Sequence, residues 1–429
     1  INKRINKYVL LRAVKNIALN YELFVAKRII SGQEHKSSIS SPIIKIAIAA
    51  ISLGVIIMMI AIATGAGLQD KIRSKMSGFK GHIQITNYDN NNSDISIIPV
   101  NKNQNFYPNF STVEGIKNVQ VFANQVGLIR TKTDFEGIVF KGVSTDYDWS
   151  FFQEYLIEGK LPDFNQKRTR DVLLSKTLMN RLQLSLNDTI NVTFFKNERS
   201  KLPSNRKLVI TGIYNTGFLE FDKNMMIGDL RQVQGLNKWN ENQVGGFEIL
   251  LDNFDDLPKK WKEVYQEIDA TLDAQTIISS YPAIFEWIQL FDNNIWFIII
   301  IMILVAGINM VTALLVLILE RVQMVGILKA MGSSNWSIRK IFLYNASYLI
   351  FVGLFWGNII GLTLLLLQKY FGFLSLDPET YYVSQVPVSI DLVTIIFLNI
   401  GTLVLCFLML IIPSIIITKI QPSKSIRFA

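Results

Sequence analysis

Charged residues are missing from four long stretches of this chain. Residues 46–69, 295–319, 341–367 and 392–418 hold no Asp, Glu, Lys or Arg. Each reaches the roughly 20 residues that a helix rising ~1.5 Å per residue needs to cross ~30 Å of hydrocarbon. The pattern therefore predicts four transmembrane helices. Ahead of the first, "NYELFVAKRIISG" puts Tyr21, Phe24, Val25 and Ile29 near one helical face and Glu22, Lys27 and Arg28 mostly elsewhere, which suits a helix lying in the membrane interface. Residues 1–19 are weakly patterned and read as an upstream extension.

Between the first two runs the periodicity changes. "TGAGLQDKIRSKMSGFKGHIQI" carries helix-forming charged residues past the first run before alternation begins at His82, so the first span is expected to continue as a stalk. On the return side, Phe285, Ile288, Phe291 and Ile295 stand at helical spacing and lead directly into the second span. Between these stalks, "HIQIT", "TINVTFF", "KLVITGIY" and "GGFEILLDN" read as strands, and "SKTLMNRLQL" and "KKWKEVYQEI" as helices. The polar "YDNNNSD" reads as a loop. The expectation is a mixed α+β domain of about 200 residues, large enough for its own core.

The expected organisation, in order, is an N-terminal segment with an amphipathic helix over 1–42, the first span and stalk over 43–80, and the α+β domain over 81–276. Stalk and second span follow over 277–319, a loop over 320–340, the third span over 341–367, a short loop over 368–391, the fourth span over 392–418 and a tail over 419–429. The fold class is thus an α-helical membrane protein with four transmembrane helices and a large α+β domain inserted between the first and second spans.

Composition agrees, since half of the residues are hydrophobic. The net charge of +9 matters through its distribution. Residues 1–45 carry nine Lys and Arg against Glu22 and Glu34, and the 320–340 loop carries Arg321, Lys329, Arg339 and Lys340 against Glu320. Residues 65–294 are balanced at 26 basic and 28 acidic. The positive-inside rule then places both termini and the 320–340 loop in the cytoplasm, and the large domain and the 368–391 loop outside. Basic excess here reports topology and gives no sign of a nucleic-acid partner. Residues 1–42 lack the apolar core and cleavage site of a signal peptide, so the first span is expected to act as an uncleaved anchor. The single cysteine, Cys406, lies in the fourth span and offers no disulfide to the outer domain.

The chemistry that would make the chain its own motor is missing. There is no G-x-x-x-x-G-K-[ST] loop for nucleotide phosphates. Only His35 and His82 are available as imidazoles, with no H-E-x-x-H or C-x-x-C pair, and no metal or catalytic site is expected. None of the four apolar runs holds the ionisable group that an ion-coupled carrier usually keeps at membrane depth. Asn309, Asn358 and Asn399 are the main polar intruders, and interhelical hydrogen bonding accounts for them. Any work this protein performs is expected to be driven from outside the chain.

The loop "ERVQMVGILKAMGSSNWSIRKIF" is where a drive can enter. Met324, Ile327, Leu328 and Met331 follow the i, i+3, i+4, i+7 template of a helix, Gly332 suits its stop, and Ser334 suits the cap of the next helix. A short cytoplasmic helix with an apolar stripe calls for a partner groove.

On these segments the chain resembles a known family, the permease subunits of lipoprotein-releasing ABC transporters (LolC/LolE type), within the wider FtsX/MacB-like permease superfamily. "YELFVAKRIISG" resembles the family's N-terminal helix, and "ISLGVIIMMIAIATGAGLQDKIRSKMSGFKGHIQI" its first span and stalk. "KLVITGIYNTGFLEFDKNMMIGDL" is similar to its outer-domain signature. "IIIIMILVAGINMVTALLVLILERVQMVGILKAMGSSNWSIRKIF" resembles its second span and loop, and "QPSKSIRF" its C-terminal end.

The resemblance implies a multi-pass protein of the bacterial inner membrane with its large domain in the periplasm. It implies a dimer with a second copy or a sister permease, bound to cytoplasmic ABC ATPase subunits that hold ATP and Mg. This chain itself would carry no cofactor and be no enzyme. Arg321, Val325, Gly326, Ile327, Leu328, Lys329, Met331 and Gly332 would form the helix that couples to the ATPase. The cargo would be a lipoprotein drawn from the outer leaflet of the lipid bilayer and handed to a periplasmic lipoprotein carrier. Exposing one acyl chain of ~14 carbons costs about 11 kcal/mol at ~0.8 kcal/mol per CH₂, so extraction demands an apolar cradle. Met58, Met59, Ile62, Phe291, Ile295 and Phe297 are the candidates for it, at the outer ends of the first two spans. The superfamily also contains MacB-like export permeases and FtsX-like permeases that signal to cell-wall hydrolases.

Overall fold

The computed structural model describes residues 21–31, 40–90, 95–131, 134–165, 168–195 and 202–420. The extension 1–19, His35, most of the "NNNSD" loop and the "QPSKSIRF" end lie outside the described residues. The chain divides into two compact units, one of Ile1–Gly67, Leu290–Gly372 and Val388–Ala429, the other of Leu68–Gln289 and Phe373–Pro387.

The first unit is helical. Its helices are α1 (Tyr21–Ser31), α2 (Ser40–Lys80), α3 (Pro282–Glu320), α4 (Val322–Ala330), α5 (Asn335–Phe371), α6 (Leu392–Ser414) and α7 (Ile416–Lys419), and α2 and α3 extend beyond it into the second unit. Four segments, Pro42–Lys80, Pro282–Glu320, Asn335–Phe371 and Leu392–Lys419, are long and apolar enough to cross a membrane. Pro413 near the end of α6 removes a backbone donor and precedes the break between α6 and α7.

These helices meet through small and amide side chains. Gly353, Gly357 and Gly361 recur every fourth residue on α5 and let its backbone close on α2. A Cβ on Gly357 would stand 2.9 Å from Val55 Cβ and 3.0 Å from the Ser52 carbonyl. Ser52 Oγ donates to the Gly353 carbonyl at 2.8 Å across the same seam. Asn358 and Asn399 exchange side-chain hydrogen bonds of 2.6 and 2.9 Å between α5 and α6, the interhelical use expected of them; Asn309 takes no part in that exchange. Met58 and Ile51 of α2, Met310 of α3, Phe342 of α5 and Leu410 of α6 form the apolar core.

The second unit is built on strands β1 (Ile83–Asn87), β2 (Val100–Asn101), β3 (Ile116–Arg130), β4 (Phe135–Val143), β5 (Leu156–Gly159), β6 (Asp171–Ser175), β7 (Thr189–Phe194), β8 (Ser204–Tyr214), β9 (Met225–Asp229), β10 (Gln243–Val244), β11 (Gly246–Leu251) and β12 (Leu272–Thr276). The main sheet runs β12-β1-β11-β3-β4-β9-β6-β8-β5, and β7 pairs with both β3 and β8. That double pairing closes β3, β4, β9, β6, β8 and β7 into a ring with β11, β1 and β12 continuing from its side. The long β3 makes this possible, because along one edge its first half pairs with β11 and its last residues, Gly127 to Arg130, with β7. The four strands and two helices read from sequence are all present. The β3–β4 hairpin was not read, because buried Gln120, Asn124 and Gln125 interrupt its apolar alternation.

The segment Phe373–Pro387, expected only as a short loop, is part of this second unit. The Tyr382 ring meets Phe218 at a tilt and Trp287 edge-on, at centroid distances of 5.2 and 5.5 Å, and its carbonyl accepts from Lys75 Nζ at 3.1 Å.

Candidate functional site

Helix α4 is separated from α3 by Arg321, which stands exposed at its N-terminus. Its C-terminal stop is Gly332, whose φ of +93° lies in the left-handed region open to glycine. Ser334 then caps α5 by accepting from Ser337 N at 3.2 Å. The two short helical ends thus hold α4 as a discrete element between long helices.

The stripe on α4 is divided by the packing. Met324 and Leu328 are half-buried against the helical core, and Val325 and Gly326 are buried outright. Val325 and Gly326, named with the coupling helix, thus form the side of α4 that packs inward. Ile327, 47 % exposed, and Met331, 77 % exposed, remain on the open side with Arg321 and Gly332. Lys329 points elsewhere. Its ammonium donates to the carbonyls of Ile417 at 2.8 Å and Ile420 at 2.9 Å, with Thr418 at 3.3 Å. These carbonyls lie at the end of α7, where the helix supplies few donors of its own; Ile417 O takes only a long bond from Ile420 N at 3.4 Å. Partial burial lowers the pKa of Lys329 from its ordinary value.

One residue assigned no role from sequence, Trp336, completes this surface. Trp336 is 56 % exposed at the start of α5, with the Arg339 guanidinium 5.3 Å from its ring. Arg339 also donates to Ser414 Oγ at 3.0 Å, which ties α5 to α6. Glu22 of α1 accepts from Ser337 Oγ at 2.8 Å and lies 3.9 Å from Lys340, and the Ser337 hydrogen bond holds its carboxyl below the usual range. The signal for Trp336 was available, since it is the one tryptophan in the loop sequence. The surface offers two exposed aliphatic side chains, an indole and flanking cations, with no nucleophile or metal-ligating set.

The six cradle candidates are not brought together. Met58 is wholly buried in the core between helices, and Met59 is nearly so. Met59 and Ile62 line a small cleft of about 40 Å³ with Leu365, Ile395 and Leu398, rimmed by Ser389, Asp391 and Thr394. Ile295 instead packs against Gly65, where an added Cβ would stand 2.1 Å from Ile295 Cδ1. Phe291 is half-buried and Phe297 is 64 % exposed on α3. Met58 thus belongs to the packed core of the helical unit and does not line that cleft.

In the second unit, buried charge is concentrated where α2 ends. Lys141 of β4 and Glu248 of β11 form an ion pair at 2.7 Å with side chains 1 % and 0 % exposed. Asp222, in the "TGFLEFD" stretch, accepts from Thr216 Oγ1 at 2.7 Å, and burial pushes its carboxyl up to about 6. His82 accepts from Leu251 N at 2.9 Å through Nδ1, and burial pushes its imidazole down to about 4. His82 is therefore held neutral, half-buried with its ring 5.6 Å from that of Phe254.

Residues 46–259 match the MacB-like periplasmic core domain, and residues 296–422 match the FtsX-like permease C-terminal family. Curated relatives are similar along most of the chain. The lipoprotein-releasing system transmembrane protein LolC of Buchnera aphidicola is 23% identical over 388 residues, 89% of this chain and 92% of that protein. LolC of Neisseria meningitidis is 20% identical over 410 residues, 92% of this chain and 96% of that protein. The lipoprotein-releasing system transmembrane protein LolE of Haemophilus influenzae is 19% identical over 420 residues, 95% of this chain and 99% of that protein.

Proposed function

Because the chain belongs to the FtsX/MacB-like permease superfamily, we propose that it is the permease subunit of an ATP-driven transporter that extracts lipoproteins from the outer leaflet of the inner membrane. The α+β domain, inserted between the first and second spans, faces the periplasm and passes cargo to a carrier there. Both termini and α4 are cytoplasmic. The observation that carries this reading is the reach of the likeness to LolC and LolE proteins, which runs through the spans and the α+β domain alike.

Energy enters through the α4 surface. Ile327, Met331 and Trp336 present an apolar patch that a groove on an ABC ATPase subunit covers, while Arg321 provides a cation at its edge. ATP and Mg reside on that ATPase, and this chain contributes no catalytic group. A second copy or a sister permease completes the dimer, and acyl chains pass along apolar surface at the outer ends of the spans, where Met59 and Ile62 line a cleft.

Depleting the protein and fractionating membranes tests the proposal. Lipoproteins stranded in the inner membrane support it. Drug or peptide sensitivity with normal lipoprotein sorting identifies an export permease instead, and chained cells with normal sorting identify a signalling permease of the FtsX kind.

A further inference from the structure

The C-terminal end of α2 runs almost directly into the sheet. Gly81, with φ of +71°, makes the turn, His82 N donates to the Ile249 carbonyl at 2.8 Å, and β1 begins at Ile83. No flexible connector separates helix from strand.

The helix end is also fixed from the side. The carbonyls of the last turn of a helix have no intrahelical donor. Here Tyr147 OH donates to the Gly78 carbonyl at 3.2 Å and Lys141 Nζ to the Phe79 carbonyl at 2.6 Å. Lys141 is held in turn by both carboxylate oxygens of Glu248 at 2.7 Å. Gln84 of β1 and Gln120 of β3 each donate to Glu248 at 3.0 Å, so four neighbouring strands share one polar network. The Phe79 ring is enclosed by Phe151, Phe152 and Phe221 at centroid distances of 5.4, 5.4 and 4.6 Å.

An ion pair so buried is poor value as a stabiliser, since desolvation offsets much of its attraction and apolar replacements are often neutral. Its geometry has another use: it joins the end of one long helix to the middle of the sheet without slack. We propose that Lys141 and Glu248 are positioning residues for energy transfer, locking the end of α2 to the α+β domain so that displacement of the helix becomes displacement of the sheet. This inference rests on the reading of the chain as an ATP-driven permease.

The test uses the permease–ATPase complex in proteoliposomes loaded with a fluorescent triacylated lipoprotein. The pair Lys141→Met with Glu248→Gln removes the charges and the donor to Phe79 while leaving Gln84 and Gln120 a partner. Expected is ATP hydrolysis within about twofold of the parent and cargo release lower by roughly tenfold. Release at the parental rate, or hydrolysis and release falling together in a folded complex, overturns the proposal.

A second measurement needs no destabilising change. Spin labels at Asp70→Cys on α2 and Lys207→Cys on β8, both exposed positions, with Cys406→Ala, report helix–sheet distance. An unchanged distance through the ATP cycle supports the lock, and a change of about one helical turn, ~5 Å, overturns it. The label distance does not depend on the cargo, so an error in the lipoprotein reading leaves this result standing.

Discussion

Lys329 holds the carbonyl of Ile417 at 2.8 Å, and through it the short helix α4 is bound to the end of the fourth apolar span. A residue whose position on the loop suggests a partner-facing cation is instead an internal cap. Lys329→Ala removes the ammonium donor from the Ile417 and Ile420 carbonyls and is expected to lower stability by about 1–2 kcal/mol, the ammonium being only partly buried. Denaturant unfolding in detergent checks this, and Lys329→Arg is expected to recover part of the loss.

Ile327→Asp and Met331→Asp place charge on the open face of α4. Both are expected to cut co-purification of the ATPase subunit by tenfold or more, about 1.4 kcal/mol, with unfolding unchanged. Val325→Asp, at a buried site, is expected to lower stability and yield first. Pull-down and thermal unfolding measured side by side separate the two outcomes.

Asn358 and Asn399 face each other in apolar surroundings. Either Leu substitution alone leaves the remaining carboxamide oxygen without its partner, its Nδ2 keeping the bond to its own helix, whereas the double substitution removes both. A double-mutant cycle on unfolding in detergent is expected to give a coupling energy of about 0.6–2 kcal/mol.

Asp222 supplies a pH dependence. Burial raises its carboxyl from 3.8 to about 6, so its contribution is fully present below pH 3.8 and is lost as pH rises through about 6. His82 works in the opposite sense, its imidazole lowered from 6.5 to about 4, with stability present above 6.5 and lost as pH falls through about 4. The two partly cancel in the parent. Asp222→Asn isolates the first: no gain below pH 4, and a gain of about 2–3 kcal/mol at pH 7.5. Unfolding midpoints across that range decide it.

Four apolar runs, the amphipathic first helix and the α4 element with its glycine stop and serine cap were legible because each is a local regularity. Run length against bilayer thickness and residue spacing against the helical turn need no knowledge of neighbours. The same logic located the strands "TINVTFF" and "KLVITGIY". It passed over the hairpin of β3 and β4, where the buried amides Gln120 and Gln125 of β3 are satisfied by Glu248 and Phe195 from distant segments.

Periodicity tells which side of an element is apolar and nothing of what lies opposite. Val325 and Ile327 look alike in sequence, and burial alone separates a packing residue from an exposed one. Lys141 and Glu248 stand 107 positions apart, and their pairing depends on β3 lying between β4 and β11. The amino-acid order thus dictated the spans and their local caps, which rest on short-range sterics and solvation. Ring closure of the sheet, the fate of Lys329 and the fixing of α2 at Phe79 came only with the folded chain, because each joins groups that backbone propensity cannot bring together.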